Sequence, residues 1–127
     1  MRLLLDTHTF IWFINGDKCL SVKARKEISK SSNSKFISIA SIWEMAIKIS
    51  LGKLKINYPF KEVFLQIQEN GFEILPVIFE HTDLVSQLEF HHRDPFDRLL
   101  IAQAIWEKMI IISKDEKFCN YPVKVTW

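Results

Sequence analysis

Apolar residues in this chain fall into short unbroken runs separated by longer stretches with helical spacing. The runs Leu3–Leu5, Lys35–Ile39, Phe72–Leu75, Met109–Ser113 and Val123–Val125 are rich in branched and aromatic side chains and read as buried strands. Between them, the pattern predicts helices over Thr9–Ile14, Ser21–Lys30, Ser41–Ser50, Pro59–Glu69, Glu80–Leu88 and Asp94–Lys108. Local punctuation agrees. Ser21 is a suitable N-cap, and Pro59 and Pro95 stand near first turns. Gly52 and the pairs Asn15-Gly16 and Asn70-Gly71 are natural helix ends. Strands separated by helices imply an α/β fold with a mainly parallel sheet covered on both faces. At 127 residues the chain is expected to form one domain, residues 1–127, around one sheet.

Four acidic residues occupy telling places in this pattern. Asp6 and Asp115 fall just past the ends of two strands, whereas Glu44 and Asp97 fall on the first turns of two helices. Asp94 stands one turn before Asp97. Parallel sheets bind ligands beyond the carboxyl ends of their strands, so folding would gather these acids at one edge. Clustered carboxylates repel one another, and a divalent cation with hard-oxygen preference removes that repulsion. Mg²⁺ or Mn²⁺ is the expected ion.

Each acid also has a structural explanation. Asp94-Pro95-Phe96-Asp97 is a well-formed helix start, with Asp94 as cap and Asp97 facing the helix dipole. Ser41-Ile42-Trp43-Glu44 has the form of a capping box, and Glu44 can pair with Lys48 one turn later. Asp6 can cap the next helix, and Asp115 can be a turn residue. The conjunction of all four at one sheet edge is what favours chemistry. Thr7, Ser41 and Ser113 adjoin the acids and are placed either to orient them or to cap locally. Arg98 is either a clamp for a substrate phosphate or the ion-pair partner of Asp94. His8, His91 and His92 read as surface or capping residues rather than a metal site. No Ser-His-Asp or Cys-His order suggests a covalent nucleophile.

Composition narrows the class. The chain is 48% hydrophobic and 25% charged, as expected of a folded globular protein. Its formal net charge is +2, so basic residues lie elsewhere than at the acidic positions; a basic rim around an acidic centre would suit an anionic polymer, whereas a solvated charged surface is the more common reading of each single Lys. Cys19 and Cys119 form neither a metal-ligand spacing nor a disulfide framework, and are expected to be reduced and packed, as in a cytoplasmic protein. Asp6 interrupts the apolar start too early for a signal peptide, and no stretch suits a membrane span. Ten Phe, four Trp and two Tyr are plentiful; most read as core, with some left over for an interface. Trp12, Phe13, Trp43 and Ile47 are candidates for a groove that receives a partner helix.

Four segments, taken in order, resemble the motifs of PIN-domain proteins. They are Leu4-Leu5-Asp6-Thr7-His8, Ser38-Ile39-Ala40-Ser41-Ile42-Trp43-Glu44, the stretch from His92-Arg93-Asp94-Pro95-Phe96-Asp97 to Ala104, and Ile112-Ser113-Lys114-Asp115. Among that family the chain looks most like the VapC-type ribonuclease toxins of bacterial toxin–antitoxin pairs. Ser113 stands where many relatives carry Thr, a small hydroxyl in either case. The resemblance implies a PIN-like three-layer α/β/α sandwich. It places Asp6, Glu44, Asp97 and Asp115 at the family's metal-binding positions, with Asp94 as an accessory. It implies a Mg²⁺- or Mn²⁺-dependent endoribonuclease acting on RNA, an antitoxin partner and a homodimer. On residue type, Asp6, Asp97 and Asp115 are the expected ligands; Glu44 is a ligand through water or a base.

Two other classes fit less well. A receiver-type signalling domain needs a pair of acids after its first strand and an acceptor Asp on a central strand. Thr7-His8 and Ser38-Ile39-Ala40 supply neither, and a haloacid-dehalogenase-like phosphatase lacks its second Asp here. The remaining alternative is a non-catalytic binding module on the same fold, its acids serving only as helix caps.

Overall fold

The computed structural model describes residues 1–127. Five strands form one sheet: β1 (Arg2–Leu5), β2 (Ser34–Ser38), β3 (Phe72–Leu75), β4 (Ile110–Ile112) and β5 (Val125–Thr126). Their order is β3-β2-β1-β4-β5, and every neighbouring pair is parallel. Six helices connect them: α1 (Thr7–Asn15), α2 (Val22–Ser29), α3 (Ile39–Ser50), α4 (Val63–Glu69), α5 (Phe79–Gln87) and α6 (Pro95–Glu107). The predicted α/β sandwich is thus the observed architecture.

The period of two along β1 divides the core. Leu3 and Leu5 point to one face, where Phe10, Ile28, Ile37, Met45 and Ile67 pack. Leu4 points to the other, among Leu100, Ile101, Ile111 and Phe118. Leu4, Leu5 and Ile112 are completely buried. That is why these strands read as continuous apolar runs rather than alternating ones.

Several boundaries differ from expectation for identifiable reasons. Helix α3 starts at Ile39 because the Ser38 hydroxyl accepts the Ala40 N–H (3.1 Å) and ends β2 there. Ser41 is therefore inside the helix and Glu44 on its second turn, so the capping box expected at Ser41–Glu44 is absent. The helix expected from Pro59 opens as a 3-10 turn, Phe60–Glu62, before α4. A further 3-10 turn, Glu116–Asn120, follows Asp115 and was not foreseen; five residues carry too little periodicity to show. The final strand, Val125–Thr126, starts two residues and ends one residue later than predicted. Lys108 takes a left-handed conformation (φ 57°), so α6 stops without a glycine. Cys19 and Cys119 are free but exposed, not packed. No helix is long and apolar enough to cross a membrane.

Candidate active site

The chain lays β2 and β3 on one side of β1 and then crosses to place β4 and β5 on the other, and this reversal of strand order opens a crevice at the carboxyl edge. Asp6 stands at that point. Its Oδ1 accepts the Thr9 N–H (2.8 Å) and caps α1, while its Oδ2 accepts the Ser113 hydroxyl (2.5 Å) from just beyond β4. Ser113 Oγ in turn accepts the Asp115 N–H (3.0 Å). One small hydroxyl thereby fixes the ends of both strands relative to each other.

The other acids approach from the helices and the last loop. Glu44 is buried; Oε1 accepts the Thr7 hydroxyl (2.6 Å) and Oε2 meets Lys48 Nζ (2.6 Å). With both oxygens engaged, Glu44 suits an orienting role better than that of a proton acceptor. Asp115 Oδ1 accepts the Lys117 N–H (2.9 Å), and Oδ2 lies 2.8 Å from His92 Nε2. Burial opposes its ionisation, but the hydrogen bonds from His92 and the Lys117 backbone outweigh that and hold its pKa below the ordinary value.

Asp97 differs from its neighbours. The Asp94 carboxylate takes the helix cap, accepting from Phe96 N (2.8 Å) and Asp97 N (3.0 Å), and so leaves the Asp97 carboxylate free. Burial, then the charges of Asp94, Asp6, Glu44 and Asp115, push its pKa up from 3.8 to about 7. The fold thus brings Asp6, Glu44, Asp97 and Asp115 within electrostatic reach of one another, and gives three of them protein donors but not the fourth.

Supporting residues divide in two. The hydroxyls of Thr7 and Ser113 hold acids, as the sequence suggested. Ser41 is fully buried with its hydroxyl unpartnered, so it caps nothing and holds none of the acids. Arg98 departs from expectation: it does not pair with Asp94, and its guanidinium is already engaged. It is buried, and its guanidinium donates to the carbonyls of Glu89 (3.0 Å), Val85 (3.2 Å) and Leu88 (3.3 Å). His92 is the residue sequence reasoning undervalued. It is buried, stacks on Phe118 and Tyr121, and aims Nε2 at Asp115. Its only sequence signal is a place just before the α6 cap; the stacking partners come from a turn not foreseen. Of the groove candidates, Phe13 packs edge-on against Phe72 and Trp12 against Trp127, whereas Trp43 stays exposed. The clearest apolar groove lies elsewhere, where α3 and α4 meet around Ile39, Ile42, Phe64 and Ile67.

The donor set fits a hard divalent cation. One ligand atom each from His92, Asp97 and Asp115 lies within 4.8 Å of the others. His92 Nε2 and Asp115 Oδ2 already serve each other, so carboxylate oxygens make the more natural ligands and His92 the group that orients Asp115. Carboxylates with one imidazole and no thiolate nearby are a donor set that a divalent cation can take.

The fold and this acidic crevice define a class, and the comparisons agree. The PIN-domain family profile matches residues 3–124, and the chain belongs to that family. Among solved structures it is similar to VapBC2 from Rickettsia felis bound to a fragment of its promoter DNA (TM-score 0.73, 19% identity, 99% of this chain and 98% of that chain). It is also similar to DNA-bound VapBC from Salmonella typhimurium (0.69, 16% identity, 99% and 97%). VapBC-1 from nontypeable Haemophilus influenzae gives 0.66 at 11% identity, covering 99% and 97%. No curated protein matches the chain in sequence.

Proposed function

We propose that the chain is a metal-dependent endoribonuclease that hydrolyses RNA phosphodiester bonds and serves as the toxin of a toxin–antitoxin pair. The observation that carries this reading is Asp97, a half-buried carboxylate without a protein donor, set among Asp6, Glu44 and Asp115. A purely structural acid would be capped or paired, as Asp94 is. Asp6, Asp97 and Asp115 would hold Mg²⁺ or Mn²⁺ directly. Glu44, fixed by Thr7 and Lys48, would reach it directly or through water. Such an ion neutralises charge on the phosphate oxygens and activates a water for attack. Ser113 keeps Asp6 and the Asp115 backbone in register, and His92 aims Asp115. An antitoxin partner, supported by the VapBC assemblies among the structural relatives, is part of the same proposal, as is a homodimer.

The test is incubation of the purified protein with a mixed RNA pool in Mg²⁺, Mn²⁺ or EDTA, alongside Asp97→Asn. Cleavage should need the ion and vanish in the folded variant. Wild-type cleavage by Asp97→Asn would sink the assignment. A folded protein that neither cuts RNA nor binds the ion would favour the binding-module alternative.

A further inference from the structure

We propose that Phe90 is a stacking platform for a nucleobase of the RNA strand that enters the acidic crevice. The inference rests on the nuclease reading and names a subsite of the same site. Phe90 is 82% exposed, in the loop between α5 and α6, and contributes nothing to either core. An exposed ring on an untethered loop would mean little, but this ring has a partner and its loop is tethered. The Arg98 guanidinium lies 4.0 Å from its centroid while donating to the carbonyls of Val85, Leu88 and Glu89. From the other side, the Tyr121 hydroxyl accepts the backbone N–H groups of His91 (3.1 Å) and His92 (3.0 Å). The loop is therefore pinned on both sides of residue 90. Arg98 thereby has a second task beside holding those carbonyls: it braces the ring.

The occupant follows from what surrounds Phe90. The ring is the single apolar side chain lining a cavity of about 750 Å³ that also reaches Asp97 and Asp115. Arg93 and Lys117 line the same cavity, are exposed, and form no ion pair. One fixed π-face and two free cations beside a phosphodiester-cleaving centre match the repeating base and phosphate of a single strand. A docking protein would call for apolar neighbours around the ring, and the neighbours here are charged. Stacking tolerates any base, so Phe90 would set the position of the strand rather than its sequence.

The test is fluorescence anisotropy with a labelled mixed-sequence single-stranded RNA, in EDTA and again with Mg²⁺ in the Asp97→Asn background. Phe90→Leu keeps an apolar side chain but removes the π-face, and should weaken binding about 5- to 100-fold. Phe90→Trp should bind at least as tightly as wild type. A strand of equal length made of abasic nucleotides should bind wild type and Phe90→Leu alike. Arg93→Gln and Lys117→Gln should each lower the salt dependence of binding by about 0.7 in log–log slope. Unchanged RNA binding by Phe90→Leu, with cleavage intact, overturns the platform and leaves the nuclease standing. So does a Phe90→Leu defect seen only in self-association, or seen equally with the abasic strand. If wild type neither binds nor cuts RNA, platform and nuclease fall together.

Discussion

Replacing Asp97 by Asn should stabilise the metal-free protein at neutral and alkaline pH. The carboxylate is raised from 3.8 to about 7 by burial first and by Asp94, Asp6, Glu44 and Asp115 after it. Between pH 4 and 7 the folded protein holds a proton that the unfolded chain has released. The contribution to stability is full below about pH 4 and is lost as pH rises through about 7. The full rise corresponds to about 4 kcal/mol at 1.36 kcal/mol per pH unit. Asp97 is half-buried, and solvent screening reduces that to roughly 2 kcal/mol. Asparagine keeps the shape and removes the charge.

Urea denaturation in EDTA across pH 4–8 reads this directly. The two proteins should have similar stability near pH 4, and the variant should lead by about 2 kcal/mol at pH 8. Adding Mg²⁺ or Mn²⁺ at about 100 times its dissociation constant should stabilise wild type by about 2.7 kcal/mol at pH 8. The variant, short of one ligand, should respond less. A variant less stable than wild type at pH 8, or a difference that does not change with pH, would refute the picture of a repelled carboxylate.

Other substitutions probe the scaffold around the acids. His92→Gln should cost about 1–3 kcal/mol in urea denaturation, since it loses a buried stack and the Asp115 contact, and should weaken the metal about 10- to 100-fold by calorimetry. Asp115 titrates in the opposite sense to Asp97: its lowered pKa adds stability above the unfolded value that is lost as pH falls through the folded one. The acid limb of the stability profile should therefore flatten in His92→Gln. Ser113→Ala should cost about 1–3 kcal/mol by leaving Asp6 Oδ2 and the Asp115 N–H without their shared partner, whereas Ser113→Thr should stay close to wild type in the same melts. Arg98→Met should cost at least 2 kcal/mol because the carbonyls of Leu88 and Glu89 lose their side-chain donor and that of Val85 keeps only the Leu88 N–H; a loss below 0.5 kcal/mol would contradict that role.

The sequence carried the sheet because its strands are buried on both faces and so appear as unbroken apolar runs. It carried Asp6, Asp97 and Asp115 because strand ends and helix starts are marked by local residues, such as the Asp94-Pro95 pair before α6. What it hid were roles fixed by contacts between distant segments. His92 depends on Asp115, 23 residues away, and on rings from a 3-10 turn with no periodic signature. Arg98 looked like a surface cation because Asp94 stands four residues before it, yet its partners are backbone carbonyls, which no side-chain pattern announces. Glu44 looked like a cap because Ser41 precedes it by three. Ser38 won that competition, since its hydroxyl sits where the strand ends and the chain first turns.

That one-step shift in capping bears on the chemistry. A Glu at the third helical position would reach back to the backbone and be consumed as a cap. Starting α3 at Ile39 instead carries Glu44 to the second turn, where Thr7 takes one oxygen and Lys48 the other. At α6 the cap is also taken upstream: Asp94 accepts both N–H groups, and Asp97, shorter than a Glu at the same third position, is left without a protein donor. At both helices a residue upstream absorbs the structural demand and releases the acid behind it. Removing the upstream group should then act on the site as well as on the helix. In Asp94→Ala, Asp97 would be the nearest acid able to serve the exposed N–H groups. The cap loss alone should cost about 1 kcal/mol. If Asp97 is drawn into capping, divalent-ion affinity should fall as well, whereas Asp94→Asn, which still caps, should preserve it. Calorimetric titration of Mn²⁺ into the two variants separates these cases, and equal affinity in both would show that Asp94 does not keep Asp97 free.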